Sequence, residues 1–99
     1  MLKAKERLAA AEVRAILKSG STLRSGALLG KYVPARSRGA AAVVSKKVAG
    51  SAIERNRIRR SVYRALATSL PSRVHLVVMV QKRLDDYSSD IETLCSKLS

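Results

Sequence analysis

The apolar positions of this chain change period several times, and each change marks an element. Between residues 4 and 19, Leu8, Ala11, Ala15, Ile16 and Leu17 recur near the 3.6-residue period, with Val13 alongside, which predicts a helix. Gly20 is a natural stop, and Lys18 suits the last turn. Residues 21 to 33 carry a Ser-Gly pair at 25 and 26, which predicts a short strand, a turn and a longer strand. Pro34 and residues 35–39 form a basic connection, and Ala40 to Lys46 reads as a strand with small residues on both faces. Ser51 followed by Glu54 has the capping-box spacing and opens a helix over about Ala52 to Ser69, ended by Pro71. From Arg73 to Lys82 the pattern alternates. Val74, Leu76, Val78 and Val80 face one way, while His75, Val77, Met79 and Gln81 face the other. Ser89 with Glu92 is a second capping box, opening a final helix through Ile91, Leu94 and Leu98.

The order is therefore α-β-β-β-α-β-α, an α+β class with helices packed on a four-stranded sheet. The strand-helix-strand unit over residues 40–82 is expected to join parallel neighbours, for which the general prior is a right-handed crossover. A length of 99 residues leaves room for a single domain, residues 1–99. No apolar run exceeds five residues (Ala40 to Val44, Leu76 to Val80), so no segment is predicted to span a bilayer. The N-terminus carries charge without an apolar stretch of signal-peptide length. Cys95 is the single cysteine, which excludes an internal disulfide and a cysteine-based zinc site. A cytoplasmic location is expected.

Charge changes the picture most. Lys plus Arg number 20 against 7 acids, a formal net charge of +13. A domain so charged repels itself, and the usual reason is a polyanionic partner. From Val13 to Arg83 there are 16 basic residues and one acid, Glu54. On the helix 52–69, with Ile53 at 0° and about 100° per residue, Ile58, Val62, Ala65 and Leu66 fall at about 120–220°, an apolar stripe fit to cover a sheet. Arg57, Arg60 and Arg64 fall within about 40° of Ile53, on the opposite side. Three guanidinium groups in a line match a phosphate backbone, since each donates a two-pronged hydrogen bond. Arg55 and Arg59 lie off that line and are expected to run their stems past the apolar edge. Lys46 and Lys47, at the end of the preceding strand, extend the patch.

Catalytic groups are sparse. Asp85, Asp86, Asp90 and Glu92 are the one acidic cluster, and they read as a solvated turn and a helix first turn rather than a metal site. His75 has no evident acid or nucleophile partner along the chain. Cys95, among Leu94 and Leu98, reads as a buried small hydrophobe.

The segment Val44-Ser45-Lys46-Lys47, followed by a small-residue link and Ala52-Ile53-Glu54-Arg55-Asn56-Arg57-Ile58-Arg59-Arg60, resembles the signature of the bacterial ribonuclease P protein subunit. The likeness extends to Glu12-Val13, Ile16-Leu17 and Gly20, to Leu28 through Val33, and to Leu76 through Arg83. It implies a ribosomal protein S5 domain 2-like fold whose βαβ crossover is left-handed, against the general prior. It also implies a protein that binds the catalytic RNA of ribonuclease P, one protein with one RNA, and helps remove the 5′ leader of precursor tRNA. Catalysis would reside in the RNA and its metal ions, chiefly Mg²⁺, with no catalytic residue in the protein. By the same resemblance Lys46, Lys47, Arg55, Asn56, Arg57, Arg59, Arg60 and Arg64 are the RNA-binding candidates. A cleft between the sheet and the first helix would contact the leader, with Val13, Leu17 and Tyr32 as candidates. Here the chain departs from the family, because Val13 and Leu17 stand where the family has aromatics. Tyr32 is equally readable as a tyrosine completing the core. Two other classes fit the charge. One is a ribosomal or general RNA-binding protein without a nuclease role. The other is a DNA-binding regulator, which lacks here the usual helix-turn-helix frame.

Overall fold

The computed structural model describes residues 2–98. Its elements are a 3-10 turn at Ala4–Glu6, then α1 (Ala10–Ser19), β1 (Ser21–Ser25), β2 (Leu28–Pro34), β3 (Gly39–Val44), α2 (Ala52–Ser69), β4 (Val74–Val80) and α3 (Ser88–Ser96). The sheet order is β1-β2-β4-β3. β1, β2 and β4 pair antiparallel, and β3 pairs parallel to β4. The parallel pair needs a long crossover, and α2 supplies it.

Strand alternation divides the sheet into two unlike faces. Register aligns Leu28, Ala42, Val44, Leu76, Val78 and Val80 on one side, which α2 covers with Ile58, Val62 and Leu66, and α3 with Ile91, Leu94 and Cys95. This is the main core. On the reverse face Val77 and Ala41 are buried, and α1, whose Ile16 is 4% exposed, packs against β2 and β4. There the row Leu29–Met79–Val43 runs across three strands and stays partly open.

The first helix is shorter than the periodicity of residues 4–19 predicts. The chain leaves helical geometry at Arg7, which bridges Ala40 in parallel, and the Leu8 N–H donates to the Ala40 carbonyl at 3.0 Å. β3 is an edge strand with unpaired backbone groups, and satisfying them outweighs a further helical turn. Each short helical piece is capped by its own acid. Glu6 accepts the Lys3 N–H and Glu12 the Ala9 N–H, both at 3.0 Å.

Two other caps differ in detail from expectation. Ser51 Oγ accepts the Glu54 N–H at 3.1 Å, but the Glu54 carboxylate turns to Arg83 at 2.7 Å instead of closing the box. α3 begins at Ser88, one residue before the expected cap Ser89. Asp86 accepts both the N–H and the hydroxyl of Ser88, and these bonds hold its carboxyl below the usual range.

Arg38 ties the N-terminal segment to the end of α2. Its Nε donates to Glu6 at 2.7 Å, and its Nη1 donates to the Ala67 and Leu70 carbonyls at 3.1 and 3.4 Å. It thereby serves carbonyls that the helix end leaves unpaired. The Arg38 hydrogen bond, followed by the one from the Lys3 backbone, lowers the Glu6 pKa from 4.5 to about 2.

Two outcomes are expected. Gly26 sits at φ +53° in the β1–β2 turn, and a Cβ there would meet the carboxylate of Asp90, which accepts the Ala27 N–H at 3.0 Å. Gly26→Ala should lower stability by more than about 1 kcal/mol in denaturant titration. The folded chain keeps Glu6 ionised down to about 2, against 4.5 for the unperturbed group. Its contribution is therefore complete above pH 4.5 and lost as pH falls toward 2. Thermal melts of Glu6→Gln should lie below those of the parent at neutral pH and converge with them near pH 2.

Candidate nucleic-acid interface

The apolar stripe of α2 is consumed by the sheet, so the opposite side must face solvent. Asn56, Arg57, Arg60 and Arg64 are exposed, and Ile53 in their midst is 73% exposed. None of the ion pairs among the described residues involves Arg57, Arg60 or Arg64. Asn56, Arg60 and Arg64 form a ridge between two open grooves. One, of about 560 Å³, is closed by Ile53, Arg57, Ser61 and Asp85. The other, of about 790 Å³, is closed by Arg7, Arg59, Tyr63 and Ala42.

The remaining basic candidates divide by what they touch. Arg55 turns inward, and its Nη1 donates to the Ala49 and Gly50 carbonyls at 3.1 and 3.0 Å. It locks the link that leads into α2. Arg59 donates through Nη2 to Asn56 Oδ1, leaving the Asn56 amide nitrogen to donate outward. Lys46 and Lys47 are exposed, but in the turn over residues 45–49 rather than on the strand, which ends at Val44. That turn is closed by the Val48 and Ala49 N–H groups donating to the Ser45 carbonyl, and it leads to the N-terminal end of α2.

The cleft candidates do not all come together. Val13 and Leu17 are half-buried and share one flank of α1 beside Ile16, over the open face of the sheet. Tyr32 does not join them. It pairs with Leu76, and that register turns its ring to the face covered by α2 and α3, where it packs on the main core. Lys31, its neighbour, points to the α1 side, where its Nζ donates to the Leu17 carbonyl at 2.9 Å. His75 Nδ1 lies 3.9 Å from Glu12 Oε2, a neighbour supplied by α1 that chain order conceals.

One side chain of this surface, Arg7, was not legible as a site residue. Arg7 lies over the Tyr63 ring at 5.7 Å, and the Tyr63 hydroxyl accepts the Ala42 N–H at 3.1 Å. A helix over 4–19 gives Arg7 no such neighbour.

Two members of the acidic cluster are engaged in structural bonds. Asp90 holds the β1–β2 turn and Asp86 the start of α3. Among the described residues no three His, Cys, Asp or Glu side chains converge as metal ligands. Tyr87 is buried, its hydroxyl accepting the Leu84 N–H and donating to the Lys82 carbonyl. Burial pushes the Cys95 thiol up to about 11, far from a reactive thiolate. No helix among the described residues is long and apolar enough to cross a membrane.

Comparison with known proteins supplies the context for this surface. The Ribonuclease P family model matches residues 2–98. A search among curated proteins finds no significant match. Among solved structures, the ribonuclease P protein of Thermotoga maritima superposes with a TM-score of 0.69 at 25% identity, over 94% of this chain and 91% of that one. The Staphylococcus aureus ribonuclease P protein shares the fold, with a TM-score of 0.65 at 18% identity over 96% of this chain and 92% of that one. With the family match spanning nearly every residue, and the exposed arginine line on α2 in a chain of that fold, this chain belongs to the ribonuclease P protein family, the protein subunits of a tRNA-processing endoribonuclease.

Proposed function

We propose that this chain binds the catalytic RNA of ribonuclease P through the exposed side of α2 and presents its α1 face to the 5′ leader of precursor tRNA. One protein would act with one RNA in the cytoplasm. The observation that carries the reading is the line Arg57, Arg60, Arg64, exposed and without a carboxylate partner among the described residues, in a member of this family. Each guanidinium is free to grip a phosphate, and the Asn56 amide adds a donor beside them. Arg55 acts differently from the rest of the motif, as a positioning residue that sets where α2 begins. The protein contributes binding and orientation. Mg²⁺ held by the RNA would supply the activated water and stabilise the leaving oxygen.

Leader contact in this chain falls to Val13, Leu17 and the open row Leu29–Met79–Val43. With Tyr32 on the other face, no aromatic ring from these candidates serves that cleft. Apolar contact remains, but base stacking on a π-face is missing.

The direct test is cleavage of precursor tRNA at low Mg²⁺. The protein alone should leave the substrate intact, the RNA alone should act weakly, and the two together should cleave efficiently. Cleavage by RNA-free protein would overturn the reading. Binding the RNA with no gain in cleavage would instead favour a general RNA-binding protein. Within that assay, Arg60→Ala should flatten the plot of log K against log salt by about 0.7–0.9, the share of one phosphate contact.

A second expectation concerns the cleft. Val13→Phe should tighten binding of leader-bearing precursor tRNA by up to about 1–3 kcal/mol, the scale of one stacked base. Mature tRNA should respond little. A thermal melt must accompany the titration, because a ring at position 13 could overpack the seam beneath α1. Equal affinity of the folded variant for both tRNAs would place position 13 outside the leader path.

A further inference from the structure

The two grooves beside the α2 ridge differ in charge. The groove on the α3 side includes Asp85, and the surface beyond it carries Asp86 and Glu92. Among the described residues the groove toward β3 has no acid. Its walls hold four arginines, Arg7, Arg59, Arg60 and Arg64, with Asn56 and Tyr63. A polyanion leaving the arginine line is therefore drawn toward β3 and repelled from α3.

Arg7 reaches this groove only because the N-terminal segment leaves helical geometry. The Leu8 N–H is bonded to the Ala40 carbonyl, and Glu6, one residue before, is clamped by Arg38. Tyr63 is fixed from the other side by the Ala42 N–H. Both members of the Arg7–Tyr63 pair are thus tied to one strand edge. Arg7 is exposed, and no carboxylate among the described residues lies within ion-pair distance of it. A guanidinium resting on an aromatic ring keeps its N–H groups for an acceptor while losing little side-chain freedom on binding.

We infer that Arg7, held over Tyr63, is a phosphate contact of the RNA interface, and that the RNA backbone runs from the α2 arginine line through the acid-free groove toward the N-terminal segment. The inference rests on the proposed binding of the ribonuclease P RNA by α2. It adds a contact outside the arginine-rich helix, supplied by a part of the chain 50 residues upstream of Arg57.

The test compares Arg7→Gln, Arg7→Lys and Arg60→Ala in the full chain, with salt-dependent affinity for the RNA subunit and hydroxyl-radical footprints as readouts. Arg7→Gln should weaken binding severalfold, flatten the salt plot by about 0.7–0.9 and remove one patch of backbone protection. Arg7→Lys should restore the slope while recovering only part of the affinity, because the compact ammonium loses the planar fork. Loss of affinity with an unchanged slope and footprint would mean that Arg7 acts only by bracing the fold, and would overturn the inference. A normal response to Arg60→Ala with none to Arg7→Gln would overturn it too, leaving RNA binding by α2 intact. If neither variant responds, the underlying reading of α2 falls as well. Should Arg7→Gln melt early, the Arg7→Lys footprint carries the decision, since a missing patch there would contradict a phosphate contact.

Discussion

The parallel pairing of β3 with β4 is the constraint on which this structure depends. Parallel neighbours cannot be joined by a tight turn, so the chain must cross the sheet between them, and it does so as α2. The crossover commits Ile58, Val62 and Leu66 to the core and leaves the reverse side of the same helix in water. The arginine line follows from that geometry. It is exposed because the sheet has already taken the other side.

The same pairing leaves β3 at the edge, with backbone groups that need partners. The chain supplies them from two distant places, the Leu8 N–H for the Ala40 carbonyl and the Tyr63 hydroxyl for the Ala42 N–H. Covering the edge removes a surface prone to pairing with other chains. It also carries Arg7 onto the Tyr63 ring beside α2. A backbone requirement thus shapes the charge of the surface.

Not all of the basic residues behind the net charge of +13 serve a partner. Arg38 closes the end of α2 and clamps Glu6, Arg55 closes its beginning, and Lys31 meets the last turn of α1. These cations sit on carbonyls, at turns and helix ends where unpaired acceptors gather. Removing one of them would disturb the fold. Arg57, Arg60 and Arg64 have no such carbonyl or carboxylate partner among the described residues, which separates them from the structural set.

The sequence by itself determined what depends on neighbours within a few residues. The extent of α2, its Ser51 cap and the separation of its apolar and arginine sides follow from a 3.6-residue period, and the alternation of β4 follows from a period of two. The resemblance to the family also rested on a contiguous segment, Val44 to Arg60. Only the tertiary structure decided what depends on which strands meet. Tyr32 lies on the core side because it pairs with Leu76, and a shift of one residue would have turned it to α1. Residues 7 to 9 abandon their helix because β3 has an open edge, a need that appears only once β3 is placed beside β4. Arg38 reaches Glu6 and the end of α2 across some 30 residues in each direction, and such pairings leave no periodic trace in the chain. Local period reports which side of an element is apolar, whereas the identity of what lies against that side is set by long-range register, which no local pattern encodes.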